Sequence, residues 1–316
     1  MNSFWKNALR GCGCLVAVGL VAAVSCAGGM ALAGAGGSGF AGVGQDAVAV
    51  VYVEGPIQGG DGGGLLSSEG AYADRIVRWL RRAETDRSVK AVVLRVDSPG
   101  GGVTASDEIH NAVVKLKAQK PVVASFGSLA ASGGYYISAP ASKIVSNETS
   151  LTGSIGVISV VPNIKGLLEK LGVEMYILTS GPHKDETSGL RPLTEEDKQI
   201  LQGIVDESYR RFVTVVAQGR TLPEARVRTL ADGRVYTGKQ AKDAGLVDQL
   251  GDLPEAITLA GELGGIKGAP RIVRYRSGGL LSGGAANLLG LLPLTGLAPG
   301  AARQSPFSLQ YLYLVP

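Results

Sequence analysis

The sequence predicts an α/β fold in which parallel strands alternate with helices. Runs of valine, alanine and isoleucine dense enough for buried strands recur along residues 46–178, and segments with helical spacing separate them. Several runs end in glycine-rich turns that lead into a helix, as in βα connections. With 316 residues, 45% of them apolar, the chain can bury one large domain or two small ones.

The order of the predicted elements supports this class. β-Branched runs predict strands at Asp46–Pro56, Lys90–Val96, Pro121–Ser125, Lys143–Ser146, Gly156–Val161 and Val173–Leu178. Helical spacing predicts helices at Tyr72–Ala83, Ser106–Ala118, from Ser132 onward, and at Ile164–Leu171. A long amphipathic helix at Thr194–Gln218 begins with a capping threonine and an acidic first turn. Shorter helices are predicted at Pro223–Leu230, Gly238–Ala244 and Leu253–Leu263.

The N-terminal segment is long and apolar enough to cross a bilayer. No charged residue occurs from Gly11 to Gln45, and Lys6 and Arg10 precede this stretch. Basic residues before the span predict a cytoplasmic N-terminus and a domain on the extracytoplasmic side of the cell membrane. The segment fits an uncleaved signal anchor, a cleaved signal peptide or a lipoprotein modified at Cys26, and it is left out of the fold prediction.

These features divide the chain into three parts. Residues 1–44 form the signal segment with a glycine-rich linker, residues 45–276 the folded domain, and residues 277–316 a tail rich in glycine and leucine. Near the end of the tail, Tyr311–Leu314 alternates like an extended strand. We hypothesise that it docks in the peptide groove of a neighbouring subunit.

The composition excludes several classes of site. All three cysteines lie within the first 26 residues, so the folded domain contains neither a disulfide nor a catalytic cysteine. With two histidines and no H-E-x-x-H pattern, a zinc site has no support, and we expect no metal. The net charge of +4 comes from interspersed basic and acidic residues, so we expect no nucleic-acid partner.

The stretch Gly127–Tyr136 surrounds Ser132 with small residues. A serine hydroxyl becomes a nucleophile when a neighbouring base takes its proton, and the two following glycines let a peptide backbone approach closely. A helix that begins here directs N–H groups toward a developing oxyanion. Taken alone, the local sequence favours a plainer interpretation, a tight contact between helix and sheet.

Lys184 is the first base to consider because histidine is so scarce. A lysine acts as a base only if burial or a nearby cation lowers its pKa. A solvated loop lysine beside Asp185 is the plainer interpretation of the local sequence. His183 ranks lower because no acidic partner can be assigned to it from the sequence, and His110 fits a partly exposed position on a helix.

Two further glycine turns accompany Ser132. Asp97–Gly102 follows a predicted strand, so its amides would emerge at the carboxyl edge of the sheet and could complete an oxyanion hole with the amide of Ser132. It lacks the phosphate-loop pattern, and a plain glycine-rich turn is the alternative. Leu151–Val157 contains Ser154, whose hydroxyl is suited to lie near a catalytic amine.

In this order, the fragments resemble the short, SppA-type signal peptide peptidase family, whose members are serine proteases with a Ser–Lys dyad. The resemblance covers about Asp46 to Gly251. Its ordered motifs are Asp97–Gly102, Gly127–Tyr136, Leu151–Val157, Ser180–Asp185 and Ala231–Tyr236 with the following Gly238–Ala241. The tail from Gly278 lies outside it.

The resemblance implies a ClpP/crotonase-like fold of repeated ββα units, without a cofactor. It implies Ser132 as the nucleophile, Lys184 as the general base, Ser154 as the group that orients the lysine, and the amides of Gly101 and Ser132 as the oxyanion hole. Short family members are similar in forming rings or domes of identical subunits, in which serine and lysine can meet across a subunit boundary. The implied substrates are remnant signal peptides in the membrane and misfolded secreted proteins.

Two other functions stay open from the sequence. An acyl-CoA hydratase or isomerase of the same fold would also use glycine-turn amides as an oxyanion hole, but it would need carboxylates and a nucleotide site nearby. A membrane scaffold could keep the fold without the chemistry. The preferred prediction is a membrane-associated serine endopeptidase that acts on peptides as a homo-oligomer.

Overall fold

The computed structural model describes residues 45–62 and 70–277, together with the backbone of the strand Leu309–Leu312. Residues 1–44, with the predicted membrane segment, and most of the tail lie outside the described residues. Within the described part, no helix has both the length and the apolar composition that a membrane crossing requires.

The first half of the described chain alternates strands and short helices. Its elements are β1 (Ala47–Glu54), β2 (Ile57–Gln58), β3 (Ala71–Tyr72), α1 (Ala73–Thr85), β4 (Val89–Ser98), β5 (Gly100–Gly102), α2 (Val103–Lys117), β6 (Val122–Ala131), α3 (Gly133–Ser138), β7 (Lys143–Ser146), β8 (Leu151–Gly153), β9 (Ile158–Ser159) and α4 (Lys165–Lys170).

The second half is mainly helical. Its elements are α5 (Glu195–Arg220), α6 (Glu224–Leu230), β10 (Val235–Thr237), α7 (Gly238–Asp243), β11 (Gln249–Leu250), α8 (Leu253–Leu263), β12 (Arg271–Tyr275) and β13 (Leu309–Leu312). Thr194 caps α5 through a reciprocal capping box with Asp197, which agrees with the capping threonine and acidic first turn that the sequence predicts.

The main sheet has the strand order β10-β8-β6-β4-β1-β12, and β7 and β11 join it through β6. All of its pairings are parallel except that of β10 with β8. Side chains of β1 alternate between two cores, since Val51 packs with α1 and α2 while Val48 packs with α8. A strand buried on both faces is typical of a parallel sheet, so the predicted α/β class is confirmed.

A second sheet has the order β3-β2-β5-β13-β9. Its central strand β5 consists of the three glycines of the turn predicted at Asp97–Gly102. The predicted glycine turn is therefore a short strand, and strands from distant parts of the sequence pair with it on both sides.

Two predicted strands differ in the structure. The strand predicted at Pro121–Ser125 continues as β6 to Ala131, because its last residues pair with β8, and Ser132 therefore directly follows a strand. The strand predicted at Val173–Leu178 is wrong: these residues pair with no strand among those described, and most of their side chains are exposed. A β-branched run needs a neighbouring strand to satisfy its backbone groups.

Candidate active site

Ser132 lies at the junction of β6 and α3 in a strained conformation. Its φ of 52° and ψ of −116° are unfavourable for a residue with a side chain, and only 1% of its surface is exposed. Such strain costs about 1–3 kcal/mol and persists only where the surrounding structure enforces it. A serine on a sharp, strained turn from strand to helix is also the geometry of a nucleophile elbow.

Ser154 occupies the equivalent place on the adjacent strand. Ala131 and Gly153 are ladder partners at the ends of β6 and β8, so the two serines that follow them emerge side by side. Ser154 also has a positive φ, 48°, and its amide donates to the carbonyl of Arg234 at 2.8 Å. Of the three non-glycine residues with positive φ in the described chain, two are therefore the serines that the sequence singled out.

The glycine strand β5 packs directly against the turn at Ser132. A Cβ added to Gly133 would lie 2.7 Å from Ser106 Oγ and 3.1 Å from both the Gly100 Cα and the Gly101 amide nitrogen. Only glycine fits at position 133 without moving these neighbours. The structure thus brings the Gly101 amide next to the turn at Ser132.

Ser98, which the sequence analysis did not single out, holds this glycine strand in place. Its buried hydroxyl donates to the carbonyl of Gly55 at 2.7 Å and accepts the Gly100 amide at 3.1 Å. The carbonyl of the same residue would lie 3.0 Å from a Cβ at Gly134. Ser98 therefore ties β5 to the main sheet, and the close helix–sheet packing that the local sequence favoured is also present.

One of the two predicted oxyanion-hole donors has an internal acceptor in the single chain. The amide of Ser132 donates to the carbonyl of Gly153 at 2.7 Å, and this bond is already made inside the protein. The next amide belongs to Gly133, the first residue of α3, where an α-helix offers no internal acceptor. The Gly133 amide is therefore a further candidate donor beside the predicted amides of Gly101 and Ser132.

One side of β5 pairs with an extended segment of the same chain. Strand β13 pairs antiparallel with β5, with Tyr311 opposite Gly101, and also antiparallel with β9, with Gln310 opposite Ile158. A peptide backbone thus lies between the two short strands, next to the turn that holds Ser132. The hypothesis that the tail forms an extended strand in a peptide groove agrees with this pairing, which here occurs within one chain.

Lys184 is exposed at the surface of the single chain. It belongs to an exposed loop between α4 and α5, and residues 171–194 contain neither helix nor strand. Among the described residues of the single chain, no hydrogen bond connects Lys184 to Ser132 or Ser154. The structure brings together Ser132, Ser154 and Gly101, and it does not bring Lys184 to them.

His183 has an acidic partner that the sequence did not reveal. Its Nδ1 bonds the buried carboxylate of Asp197 at 3.0 Å, and this hydrogen bond raises the pKa of the imidazole. The sequence analysis did not single out Asp197, which lies 14 residues after His183 in the first turn of α5. Arg191 bonds the same carboxylate, and these two partners hold the pKa of Asp197 well below its usual range.

No cofactor or metal site follows from this cluster. Ligand atoms of His183, Glu186 and Asp197 lie within 4.8 Å of one another, a spacing that could suit a cation. However, the Asp197 oxygens already accept hydrogen bonds from Arg191, His183 and the Thr194 amide. A cation would have to displace a guanidinium, so we assign no ligand to this cluster.

The other histidine supports the fold rather than the site. His110 on α2 is buried against the ring of Tyr136, and burial lowers its pKa. Tyr136 donates to Asp107, which also accepts from Arg211 of α5. These contacts fix helix α3 just after Ser132, and His110 is more buried than its sequence position predicts.

Comparison with known proteins shows that the chain is similar to peptidases. Residues 114–267 match peptidase family S49, and residues 67–150 match the Clp protease family. The chain is 42% identical over 214 residues to a Synechocystis protein provisionally named a protease, covering 65% of this chain and 77% of that protein. The Clp match supports the ClpP-like part of the fold prediction.

Two further relatives carry more specific names. An Enterococcus faecium protein provisionally named signal peptide peptidase SppA is 44% identical over 194 residues, which cover 61% of this chain and 56% of that protein. Protease 4 of Haemophilus influenzae is 40% identical over 217 residues, covering 68% of this chain and 34% of the relative. The chain thus spans about half or less of these two relatives.

Proposed function

The chain belongs to peptidase family S49 and is a serine peptidase, and we propose that Ser132 is its nucleophile and Lys184 its general base. The observation that carries this proposal is the antiparallel pairing of a peptide strand with Gly100–Gly102, directly beside the strained turn at Ser132. Family membership decides against the acyl-CoA enzyme and the non-catalytic scaffold.

The proposed reaction is acyl transfer to serine followed by hydrolysis. Neutral Lys184 takes the proton of Ser132 while the serine Oγ attacks the scissile carbonyl carbon. The carbonyl oxygen becomes an oxyanion, which the amides of Gly101 and Gly133 stabilise. The C–N bond then breaks, the lysine ammonium protonates the leaving amine, and water hydrolyses the acyl-enzyme. Ser154, next to Ser132, orients the lysine amine.

Substrates bind as an added strand. Strands β5 and β9 both pair with the same extended segment, so a substrate peptide can take the position of β13 between them. Backbone hydrogen bonds supply affinity in this mode, and pockets for alternate side chains supply specificity. Such a groove accepts unfolded or extended peptides, which suits signal-peptide remnants and misfolded secreted proteins as substrates.

Lys184 reaches Ser132 from a neighbouring subunit. In the single chain the lysine is exposed and the serine is buried, so the dyad is incomplete. The segment that leads to the lysine is also unusually apolar at its surface: Tyr176 is 84% exposed and Leu178 is 98% exposed. A contiguous apolar surface of this kind marks a protein contact. A homo-oligomeric ring would cover it and would desolvate Lys184, which lowers the pKa of a lysine.

The location of the enzyme follows from its N-terminal segment. We propose that the uncharged stretch Gly11–Gln45 anchors the chain in the cell membrane and that the catalytic domain lies on the extracytoplasmic side. Signal peptides remaining in the same membrane would then be the nearest substrates.

The dyad is tested by labelling the full-length protein with a serine-directed fluorophosphonate and mapping the modified residue. We expect the label on Ser132, and we expect Ser132→Ala and Lys184→Ala to abolish both labelling and peptide hydrolysis. Ser128→Ala and Lys198→Ala are matched controls, because Ser128 is exposed on the same strand and Lys198 is exposed on α5. Peptide hydrolysis that survives in both dyad variants would overturn the proposal.

A further inference from the structure

The loop that carries Lys184 is fixed by side chains rather than by secondary structure. No helix or strand occurs from residue 171 to residue 194, and loops of this kind are usually the most mobile part of a fold. A general base must nevertheless lie within hydrogen-bond reach of its nucleophile. Something outside the loop has to hold Lys184 in position.

Asp197, at the start of α5, is the anchor. Its side chain is only 1% exposed, and its carboxylate accepts hydrogen bonds from three residues. His183 donates from Nδ1 at 3.0 Å, the Thr194 amide donates at 2.9 Å, and the Arg191 guanidinium donates to both oxygens. A buried carboxylate with this many donors is fully satisfied and geometrically fixed.

The bonds made by Arg191 reach both sides of Lys184. The guanidinium donates to the carboxylate of Asp185 at 3.0 Å and to the carbonyl of Pro182 at 3.3 Å. Since His183 is bound to Asp197 directly, the residues immediately before and after the lysine are both tied to the same anchor. We call His183, Asp185, Arg191 and Asp197 the lysine clamp.

The clamp also controls the charge around the lysine. An unpaired carboxylate beside Lys184 would stabilise its ammonium form and raise its pKa, which is the opposite of what a general base requires. The neighbouring Asp185 and the anchor Asp197 are both paired with Arg191. Arg191, rather than the lysine, is therefore the ion-pair partner of both carboxylates, and it balances one of their two negative charges.

We propose that the lysine clamp positions Lys184 for proton transfer, with Arg191 and Asp197 as positioning residues. This inference rests on the proposed dyad. The clamp holds the loop backbone on both sides of the base, leaves the lysine side chain free to enter the site, and keeps Asp185 from forming an ion pair with it. It acts through Lys184 and makes no contact with substrate.

Arg191→Gln in the full-length protein tests the clamp. We expect kcat to fall by about 10- to 100-fold with little change in KM, because a displaced base slows proton transfer without altering the peptide groove. Arg228→Gln, which removes an exposed ion pair on α6, is the matched control and should change neither quantity.

The remaining variants separate the clamp from the dyad. Asp197→Asn keeps the size of the anchor but not its charge, and it should lower kcat as Arg191→Gln does. Arg191→Lys keeps the charge without the planar fork, so it should lie between wild type and Arg191→Gln, and it replaces that variant if Arg191→Gln fails to fold. Wild-type kcat and KM in these variants, with Lys184→Ala inactive, would overturn the clamp alone. Activity in Lys184→Ala would overturn the dyad itself.

Discussion

At the scale of single residues, the site depends on two adjacent positions, one with a strained backbone and one with no space for a Cβ atom. Ser132 has the φ of a glycine, yet it keeps a side chain, so the surrounding bonds must hold it in a costly conformation. The bond from its amide to Gly153 does so from the neighbouring strand. Gly133, the next residue, cannot carry a Cβ beside the Gly101 amide. Strain and close approach thus occur together at the proposed nucleophile.

Gly133→Ala is predicted to remove activity while leaving the fold largely intact. The new Cβ would press on Ser106 Oγ and on the Gly101 amide nitrogen, which must move away from the oxyanion position. We expect kcat for a peptide substrate to fall by about 100-fold or more. Gly203→Ala on α5 is the control, because nothing lies within 4 Å of its Cβ position and the change should slightly stabilise the helix. Equal kcat values in the two variants would contradict this view of the turn.

The two histidines are predicted to have opposite effects on stability as pH changes. The hydrogen bond to Asp197 raises the pKa of His183, so its contribution is fully present below about pH 6.5 and is lost as pH rises through the raised pKa. Burial lowers the pKa of His110, so this residue costs stability as pH falls below about 6.5.

Thermal unfolding midpoints of full-length His183→Gln and His110→Gln test these signs. Relative to wild type, His183→Gln should be most destabilised near pH 5.5 and least destabilised near pH 9. For His110→Gln the difference from wild type should change in the opposite direction. The same pH dependence in both variants would show that one of the two assigned shifts has the wrong sign.

At the scale of secondary-structure elements, the sequence pattern predicted the elements whose bounds depend on their own residues. It failed for strands whose existence or length depends on pairing with another strand. Helices such as Leu253–Leu263 and the strand Lys143–Ser146 agree with their predicted bounds, because their apolar spacing or β-branched density is itself the cause. The length of β6 and the absence of a strand at Val173–Leu178 depend on whether another strand is available for pairing. The short strands β10 and β11 carry too few residues to show a period.

The features of the site divide in the same way, into those that the local sequence predicts and those that depend on another segment. Ser132, Ser154 and Gly101 could be found because each lies in a glycine-containing run that the sequence shows, and because the order of these runs resembles a known family. The direction of the Ser132 amide could not, since it depends on a carbonyl at Gly153 of another strand. Nor could the partner of His183, because Asp197 is brought to it by the path of a loop without periodicity.

Gln310→Pro is predicted to increase activity toward added peptides by freeing the groove. Strand β13 pairs with β5 and β9 through Gln310, and a proline there has no N–H for the ladder. Since a tethered segment competes at a high effective concentration, its release should lower the apparent KM by several-fold. Gln310→Ala keeps the N–H and should behave as wild type. If Gln310→Pro and Gln310→Ala gave the same KM, β13 would not compete with substrate.

At the scale of the whole molecule, the proposed nucleophile Ser132 lies on a buried turn and the proposed base Lys184 on an exposed loop. Most of the exposed large apolar side chains precede that base: Val160, Ile164, Leu167, Leu171, Val173, Met175, Tyr176, Ile177 and Leu178. Covering this surface by another copy would bury the loop without any change in the folded core. Assembly and completion of the site would then be one event.

Leu178→Asp is predicted to weaken the oligomer and to lower activity in parallel. The leucine is 98% exposed in the single chain, so an aspartate costs nothing in the monomer, whereas a charge buried at a subunit contact is unfavourable. Oligomer size from light scattering and the rate of peptide hydrolysis should fall together. Val114→Asp, a comparable change on α2 outside this segment, should alter neither. A full-size oligomer for Leu178→Asp would remove this segment from the interface.

Coassembly of two inactive variants tests directly whether the dyad spans two subunits. The Ser132→Ala variant keeps Lys184, and the Lys184→Ala variant keeps Ser132. Activity can therefore return only at a boundary where Ser132 of a Lys184→Ala subunit meets Lys184 of a Ser132→Ala subunit. In a ring assembled at random from equal amounts, about a quarter of the boundaries have this arrangement, and about a quarter of wild-type activity should return. Each variant assembled alone should stay inactive, and different affinity tags establish that both are present in one oligomer.

A coassembled but inactive oligomer would place the base within the same chain as the nucleophile. The exposed loop would then have to close onto β6 of its own subunit, and loss of the apolar contact at Leu178 would no longer affect catalysis.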